Sequence, residues 1–196
     1  MPALKTMFQL TGRGYAAATL TNASLLIIDA QNEYLSGPLA LSGMPAATAN
    51  IALLLDAARK AKRPVVHIRH LGTVGGMFDP QGERGEFIKG LEPQGDEVII
   101  EKRMPNAFND TGLQKALENL GSLDVIVCGF MSHSSVSTTV RAAKNLGFRC
   151  TLVEDACATR DLPYKGGVLS ADHVQQTEMA IMADNFATLA LTQDLI

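Results

Sequence analysis

The chain has few cysteines, no long apolar run and no excess of positive charge, and each absence closes off a class of protein. Its three cysteines, Cys128, Cys150 and Cys157, are odd in number and none belongs to a metal-like C-x-x-C pair. Two of them fall in strand-like apolar segments, where a reduced thiol acts as a small hydrophobe, and a cytoplasmic location is the expectation. No apolar stretch approaches the ~18 residues of a membrane span. The first 23 residues carry Lys5 and Arg13 but no continuous apolar segment of signal type. With 17 Lys and Arg against 20 Asp and Glu, net −3 and scattered, there is no nucleic-acid footprint. No G-x-G-x-x-G or phosphate loop follows any strand-like run, so no cofactor is expected. No repeat, low-complexity tract or domain boundary interrupts the sequence.

What remains is an ordinary globular composition. A chain of 196 residues, 46% of them hydrophobic, is long enough for one sizeable core. We expect a single domain over residues 1–196, with 1–23 as an N-terminal extension. Leu25–Ile28, Pro64–Ile68, Val98–Ile100, Asp124–Cys128, Cys150–Val153 and Ala187–Leu191 read as strands, several β-branched and apolar on both faces. That is the signature of strands buried between helical layers. Ile51, Leu54, Leu55 and Ala58 recur at helical spacing, with Asp56, Arg59 and Lys60 on the other face. Thr111 and Gln114 resemble a capping box opening a helix to about Leu120. Further helices are predicted from about Ser135 to Asn145 and from about Ser170 to Asp184. The alternation implies a three-layer α/β/α, Rossmann-like fold with a six-stranded, mostly parallel sheet. Two stretches break the rhythm: Leu71 to Gly95, with seven glycines, and Thr159 to Gly167, with Pro163 and a Gly-Gly pair. The first is too long for a plain connector and reads as a lid, binding loop or partner contact.

Ligands of open parallel sheets gather beyond the carboxyl ends of the strands. Three reactive side chains fall there: Asp29 after the first strand, Lys102 after the third and Ser135 after the fourth. Each alone has a plain reading, as a turn cap, a solvated lysine and a helix N-cap. Their shared sheet edge is what raises them to candidates for catalysis.

Three motifs in order extend the argument. The run Leu25 to Tyr34 has the form apolar-Asp-x-Gln-x-x-aromatic; Lys102 to Phe108 has the form Lys-Arg-x-x-Asn-Ala-Phe; and the run Val125 to Ala143 carries Gly129, a Ser-rich turn and Arg141-Ala142-Ala143. Together they resemble the isochorismatase-like cysteine hydrolases, and the resemblance continues through Glu154–Asp155–Ala156 to the final helix and strand. It implies that Asp29 is an acid/base, that Lys102 completes a triad, and that residue 135 is the nucleophile. It implies an oxyanion hole from the N–H groups of Met131 and Ser135, across a cis peptide at Phe130–Met131. It also implies a small amide or ureido substrate and a homo-oligomer. Asn106 departs from the family's usual Ser.

The larger departure is Ser135, which stands where the family has cysteine. Three readings are open: a Cys→Ser substitution introduced into a cysteine enzyme; a natural serine variant, slow or catalytically silent and serving as a binder or scaffold; or the vinyl-ether branch, which uses the Asp as acid and no nucleophile. Gln31, Tyr34, Phe108 and His133 are candidate substrate contacts, with Phe78 a further pocket aromatic. His67 and His70 lie near the end of the second strand, close to where nicotinamidases of the family bind a metal, but the Asp-x-His pair is missing, so no metal is expected and a structural or substrate-facing histidine is the better reading. Met77, Phe78, Phe87 and Ile88 make the glycine-rich loop too apolar to lie free, so it should meet a neighbouring subunit or close over the pocket.

Overall fold

A six-stranded sheet with every neighbouring pair parallel runs through the centre of the structure. The computed structural model describes residues 3–196. In chain order the elements are α1 (Met7–Thr11), β1 (Ser24–Ile28), α2 (Glu33–Ser36), α3 (Met44–Lys60), β2 (Val65–His70) and β3 (Val98–Lys102). There follow α4 (Leu113–Asn119), β4 (Asp124–Phe130), a π turn (Ser132–Val136), α5 (Ser137–Asn145) and β5 (Arg149–Ala158). A hairpin of β6 (Leu162–Tyr164) and β7 (Gly167–Leu169), then α6 (Ala171–Asn185), β8 (Ala187–Ala190) and a short 3-10 turn (Thr192–Asp194), follow.

The strand order is β3-β2-β1-β4-β5-β8. The chain therefore builds outward from β1 to one edge and returns beside β1 to build the other. The point of reversal, between β1 and β4, is where such sheets open a crevice at their carboxyl ends. Side-chain alternation along β1 explains the layers. Leu25 and Ile27 pack with Ile51, Leu54, Leu55 and Ala58 of α3 on one face. Leu26 and Ile28 pack with Leu113 and Leu117 of α4, Val140 and Ala143 of α5, and Met179 and Met182 of α6 on the other. Each such Leu or Ile side chain contributes about 1.5–3 kcal/mol through burial. The three-layer fold read from the sequence is the observed one.

Several details differ from expectation for local reasons. Helix α4 opens at Leu113 after Gly112 and has no capping box. Thr111 instead donates its hydroxyl to the Ala107 carbonyl at 2.5 Å, while Gln114 reaches down the helix to Glu118 at 2.8 Å. Strand β5 continues past Val153 to Ala158 because its register with β4 shifts between Val127 and Gly129, which accommodates Glu154–Asp155–Ala156 as an irregularity. Part of the Thr159–Gly167 stretch is the β6–β7 hairpin. The N-terminal extension is docked: Tyr15 Oη accepts from Cys150 N at 3.1 Å, and Thr151 Oγ1 accepts from Ala18 N at 2.8 Å. The glycine-rich loop packs largely within its own chain, with Phe78, Ile88 and Leu91 buried. It is tied to the turn after β1 by Asn32 N to Glu86 O at 3.0 Å and Ile88 N to Ala30 O at 2.9 Å.

Gly129 sits on β4 opposite Ile28, with φ 120°. A Cβ there would lie 2.1 Å from the Ile28 carbonyl oxygen, so the two strands can meet only across a glycine. Gly129→Ala should therefore lower stability by about 3 kcal/mol or more, as backbone overlap cannot relax by rotamer change. Gly147, at φ 90° with nothing within 4 Å of its Cβ position, is the control. Gly147→Ala should cost only the left-handed backbone penalty, about 1–2 kcal/mol. Urea unfolding midpoints at unchanged slope measure both, and equal losses would show that the strand contact is not the constraint.

Candidate active site

Beyond the carboxyl ends of β1, β3 and β4, three side chains converge. Asp29 follows β1 in a left-handed conformation, φ 50°, donating its N–H to Ile68 O at 3.1 Å and accepting from Gln31 N at 2.8 Å. Asp is among the few residues that tolerate that backbone. Lys102 ends β3, two strands away across β2. Two strand spacings amount to about 10 Å, which only a long side chain bridges. Its Nζ donates to Asp29 Oδ2 at 2.7 Å, to His70 Nδ1 at 3.0 Å and to Ser135 Oγ at 3.2 Å. Asp29, Lys102 and Ser135 are all buried, at 0%, 2% and 5% exposure.

Ser135 is placed by the π turn rather than by the first turn of an α-helix, as had been expected. The Met131 carbonyl accepts from both Ser134 N (3.0 Å) and Val136 N (3.2 Å), the second being the wide i→i−5 bond of π geometry. Such turns recur at functional sites because they insert one extra residue into the helical path. The peptide between Phe130 and Met131 is cis, as the resemblance implies. Helix α6 braces the turn from behind. Ser132 Oγ donates to Gln175 Oε1 and Ser137 Oγ to Glu178 Oε1, each at 2.6 Å. Arg141 Nε donates to Ser137 Oγ at 3.1 Å.

The electrostatics follow from burial. Burial pushes the Asp29 carboxyl above its ordinary range, against the Lys102 charge, its hydrogen bond and, least, the nearby Ser135 hydroxyl. Asp29 Oδ1 has no hydrogen-bond partner of acceptable geometry among the described residues. His70 is pushed down to about 4 by burial and then by the Lys102 and Arg103 charges, so it is neutral near pH 7.

The other sequence candidates fall in varied places. Gln31 is buried and engaged by the protein: Nε2 donates to His70 O and Gly85 O, both at 2.9 Å, and Oε1 accepts from His70 N at 2.8 Å. Both its N–H donors are taken, so it braces the loop instead of offering a ligand a donor. Tyr34 packs edge-on against Phe78 and Phe130, centroids 5.2 and 5.7 Å away, as a core aromatic. Phe108 stacks on Phe148 at 6.0 Å, on the side of α4 and α5. His133 lies in the π turn with Nδ1 on Thr159 Oγ1, and burial, then the Arg160 charge, lowers its pKa. Met131 heads the turn, half-buried. His67 and His70 do not converge: His67 Nε2 meets Glu97 Oε2 at 2.9 Å, and Glu97 also binds Arg59 at 2.7 Å. Among the described residues no three His, Cys, Asp or Glu side chains gather as a ligand set. The sequence marks His70 as a structural or substrate-facing histidine at the end of β2, and the structure joins it to the cluster through Lys102 Nζ, a partner that lies on the next strand and that no local motif announces.

The sequence pattern of the isochorismatase domain matches residues 23–194. The fold superposes on the crystal structure of an isochorismatase from Pseudomonas putida KT2440 with a TM-score of 0.98 and 68% identity, covering 99% of this chain and 100% of that one. The uncharacterized isochorismatase family protein YddQ of Bacillus subtilis is 38% identical over 173 residues, 87% of this chain and 96% of its own. The secreted isochorismatase effector Isc1 of Verticillium dahliae is 36% identical, covering 92% and 93%. A streptothricin hydrolase of Streptomyces noursei is 32% identical over 88% of this chain and 60% of its own length.

Removing the cation should expose the electrostatic constraint. Lys102→Met strands a buried Asp29 and should destabilise the fold by about 3–5 kcal/mol near neutral pH. With a folded pKa above the unfolded one, Asp29 binds its proton more tightly when folded, so stability falls as pH rises through that window. The deficit of the variant should therefore shrink in acid, and Asp29→Asn in the same chain should recover much of it. Urea unfolding of the three chains near neutral pH and at about pH 5 tests this; a pH-independent deficit would refute it.

Proposed function

The chain belongs to the isochorismatase family of hydrolases, and from that premise we propose that it hydrolyses the C–N bond of a small amide or ureido compound, with residue 135 as nucleophile and no metal. The carrying observation is the single Lys102 ammonium that binds Asp29 Oδ2 and Ser135 Oγ at once, at 2.7 and 3.2 Å. Because Ser135 Oγ accepts from Lys102, its own proton is directed elsewhere, and Asp29 Oδ1 is a buried acceptor without a partner. In this reading Asp29 takes that proton as Oγ attacks the carbonyl carbon, and an ester to the enzyme forms. The oxyanion would be held by the N–H groups of Met131 and Ser135. Asp29 returns the proton to the leaving nitrogen, ammonia or an amine departs, and water cleaves the ester. The upward shift of the Asp29 carboxyl makes it a better base than a free aspartate. A hydroxyl is still far harder to deprotonate than a thiol, so turnover with serine should be slow.

A second reading draws on the same two features. An aspartic acid held up in pKa beside a residue that is not cysteine suits the vinyl-ether chemistry of the family, in which a protonated carboxyl delivers its proton to the substrate and no covalent intermediate forms. The streptothricin hydrolase relative favours hydrolysis in general without choosing between the two. The three free and buried cysteines support a cytoplasmic location as part of the proposal, although one relative is a secreted effector. Among the described residues no helix is long and apolar enough to cross a membrane.

The variants separate the readings. Against a panel of small amides and ureido acids, Ser135→Cys should raise ammonia release by orders of magnitude, and Asp29→Asn should abolish it. On a vinyl-ether panel Ser135→Ala should retain turnover, whereas Asp29→Asn should not. Equal rates of the serine and cysteine forms on every responsive amide would remove residue 135 as nucleophile.

Val74 and Met77 of the glycine-rich loop remain exposed, at 65% and 48%, and they support the proposal of a homo-oligomer. Light scattering should give a mass of two subunits or more at micromolar concentration; a monomer would remove that part.

A further inference from the structure

An ammonium has three N–H donors and no acceptor, so whatever it bonds must accept. Lys102 Nζ bonds to His70 Nδ1 at 3.0 Å. That nitrogen therefore carries a lone pair, and the ring proton of neutral His70 resides on Nε2. Among the described residues Nε2 has no hydrogen-bond partner, and it is not among the buried unpaired atoms, so it reaches accessible space. The ring itself is held firmly. Phe78 packs against it with centroids 4.8 Å apart, and Gln31 binds both its backbone N–H and its carbonyl. His70 Nδ1 and Ser135 Oγ share the same ammonium, so they are separated by no more than its two hydrogen bonds laid end to end.

From this geometry we infer that His70 is a substrate-selecting residue, whose Nε2–H is a fixed donor for a carbonyl or carboxylate oxygen of the ligand. The inference deepens the proposed function and rests on the Asp29–Lys102–Ser135 cluster being the reaction centre. Lys102 dictates the tautomer, and the tautomer dictates what the ligand must present: an acceptor on the side facing β2, beside the bond being cleaved. A compound offering an N–H at that position would confront donor with donor and be rejected.

Two replacements divide the functions of the ring. His70→Asn keeps an oxygen near the Nδ1 position for Lys102 and loses the outward donor. His70→Gln keeps a donor near the Nε2 position and loses the acceptor. In the Ser135→Cys chain, His70→Asn should raise KM about tenfold, the worth of one hydrogen bond, with kcat held within about twofold. His70→Gln should keep KM and lower kcat. A purely structural role would move both constants together in both variants. Independently of turnover, histidine-labelled protein should show by ring-nitrogen NMR at neutral pH that His70 is protonated at Nε2 and bare at Nδ1. Titration with acetamide or acetate should shift the Nε2 signal saturably, and methylammonium, which has no acceptor, should not. A proton on Nδ1, no response to either probe, or an unchanged KM in His70→Asn would overturn the inference. Failure of every amide on the panel would fell the functional reading while the tautomer and the titration still decide this one.

Discussion

A cation enclosed by protein must have every one of its protons accepted, and in this molecule that requirement falls on Lys102. Its three bonds go to a carboxylate, an imidazole nitrogen and a hydroxyl, drawn from three different strand ends. Buried ion pairs are weak sources of stability, because desolvation offsets most of the attraction. What this one fixes is chemical state. Asp29 faces the ammonium through Oδ2, leaving Oδ1 without a partner. His70 must be neutral and bare at Nδ1. Ser135 must accept, which frees its hydroxyl proton. The protonation pattern of the cluster follows from one amine.

The sheet exists in the order that makes this convergence possible. Reversal of the chain between β1 and β4 places Asp29 and the π turn side by side, in a register where Ile28 meets Gly129. Lys102 is the direct partner of His70 in the β2–β3 ladder, so the two enter the cluster together. Helices α4, α5 and α6 cover one face and α3 the other, and α6 holds Ser132 of the π turn and Ser137 at the head of its neighbour α5. Two serines flanking Ser135 thus act as struts, a role that a Ser-rich turn does not announce.

The central strands were legible because burial on both faces writes itself as unbroken Leu, Ile and Val, and Asp29, Lys102 and Ser135 because each follows such a run. Less legible was anything set by a choice among competing partners. Thr111 and Gln114 have the spacing of a capping box, yet Thr111 donates to Ala107 and accepts only from Leu113 N, while Gln114 finds Glu118, so the reciprocal box does not form. Nothing local in Ser132–Val136 distinguishes a π turn from an α-helix; the extra residue is a response to the strand and to α6. The continuation of β5 past Val153 depends on an irregularity opposite Gly129, invisible in β5 itself. Gln31 and Tyr34 sit in a motif that suggests ligand contact, and their neighbours in space make one a brace and the other core.

Strand β3 is an edge of the sheet, paired on one side to β2 alone, with Ile99 exposed. Edge elements are the first to open in sub-global fluctuations, since few cross-strand bonds hold them. The lone cation of the cluster is thus carried at the edge of the sheet, while the π turn and Asp29 belong to its middle. Fraying of β3 would withdraw Lys102, leave the buried Asp29 carboxyl without its counter-ion and release His70 to either tautomer. The charge balance of the cluster is therefore tied to the local opening free energy of one edge strand.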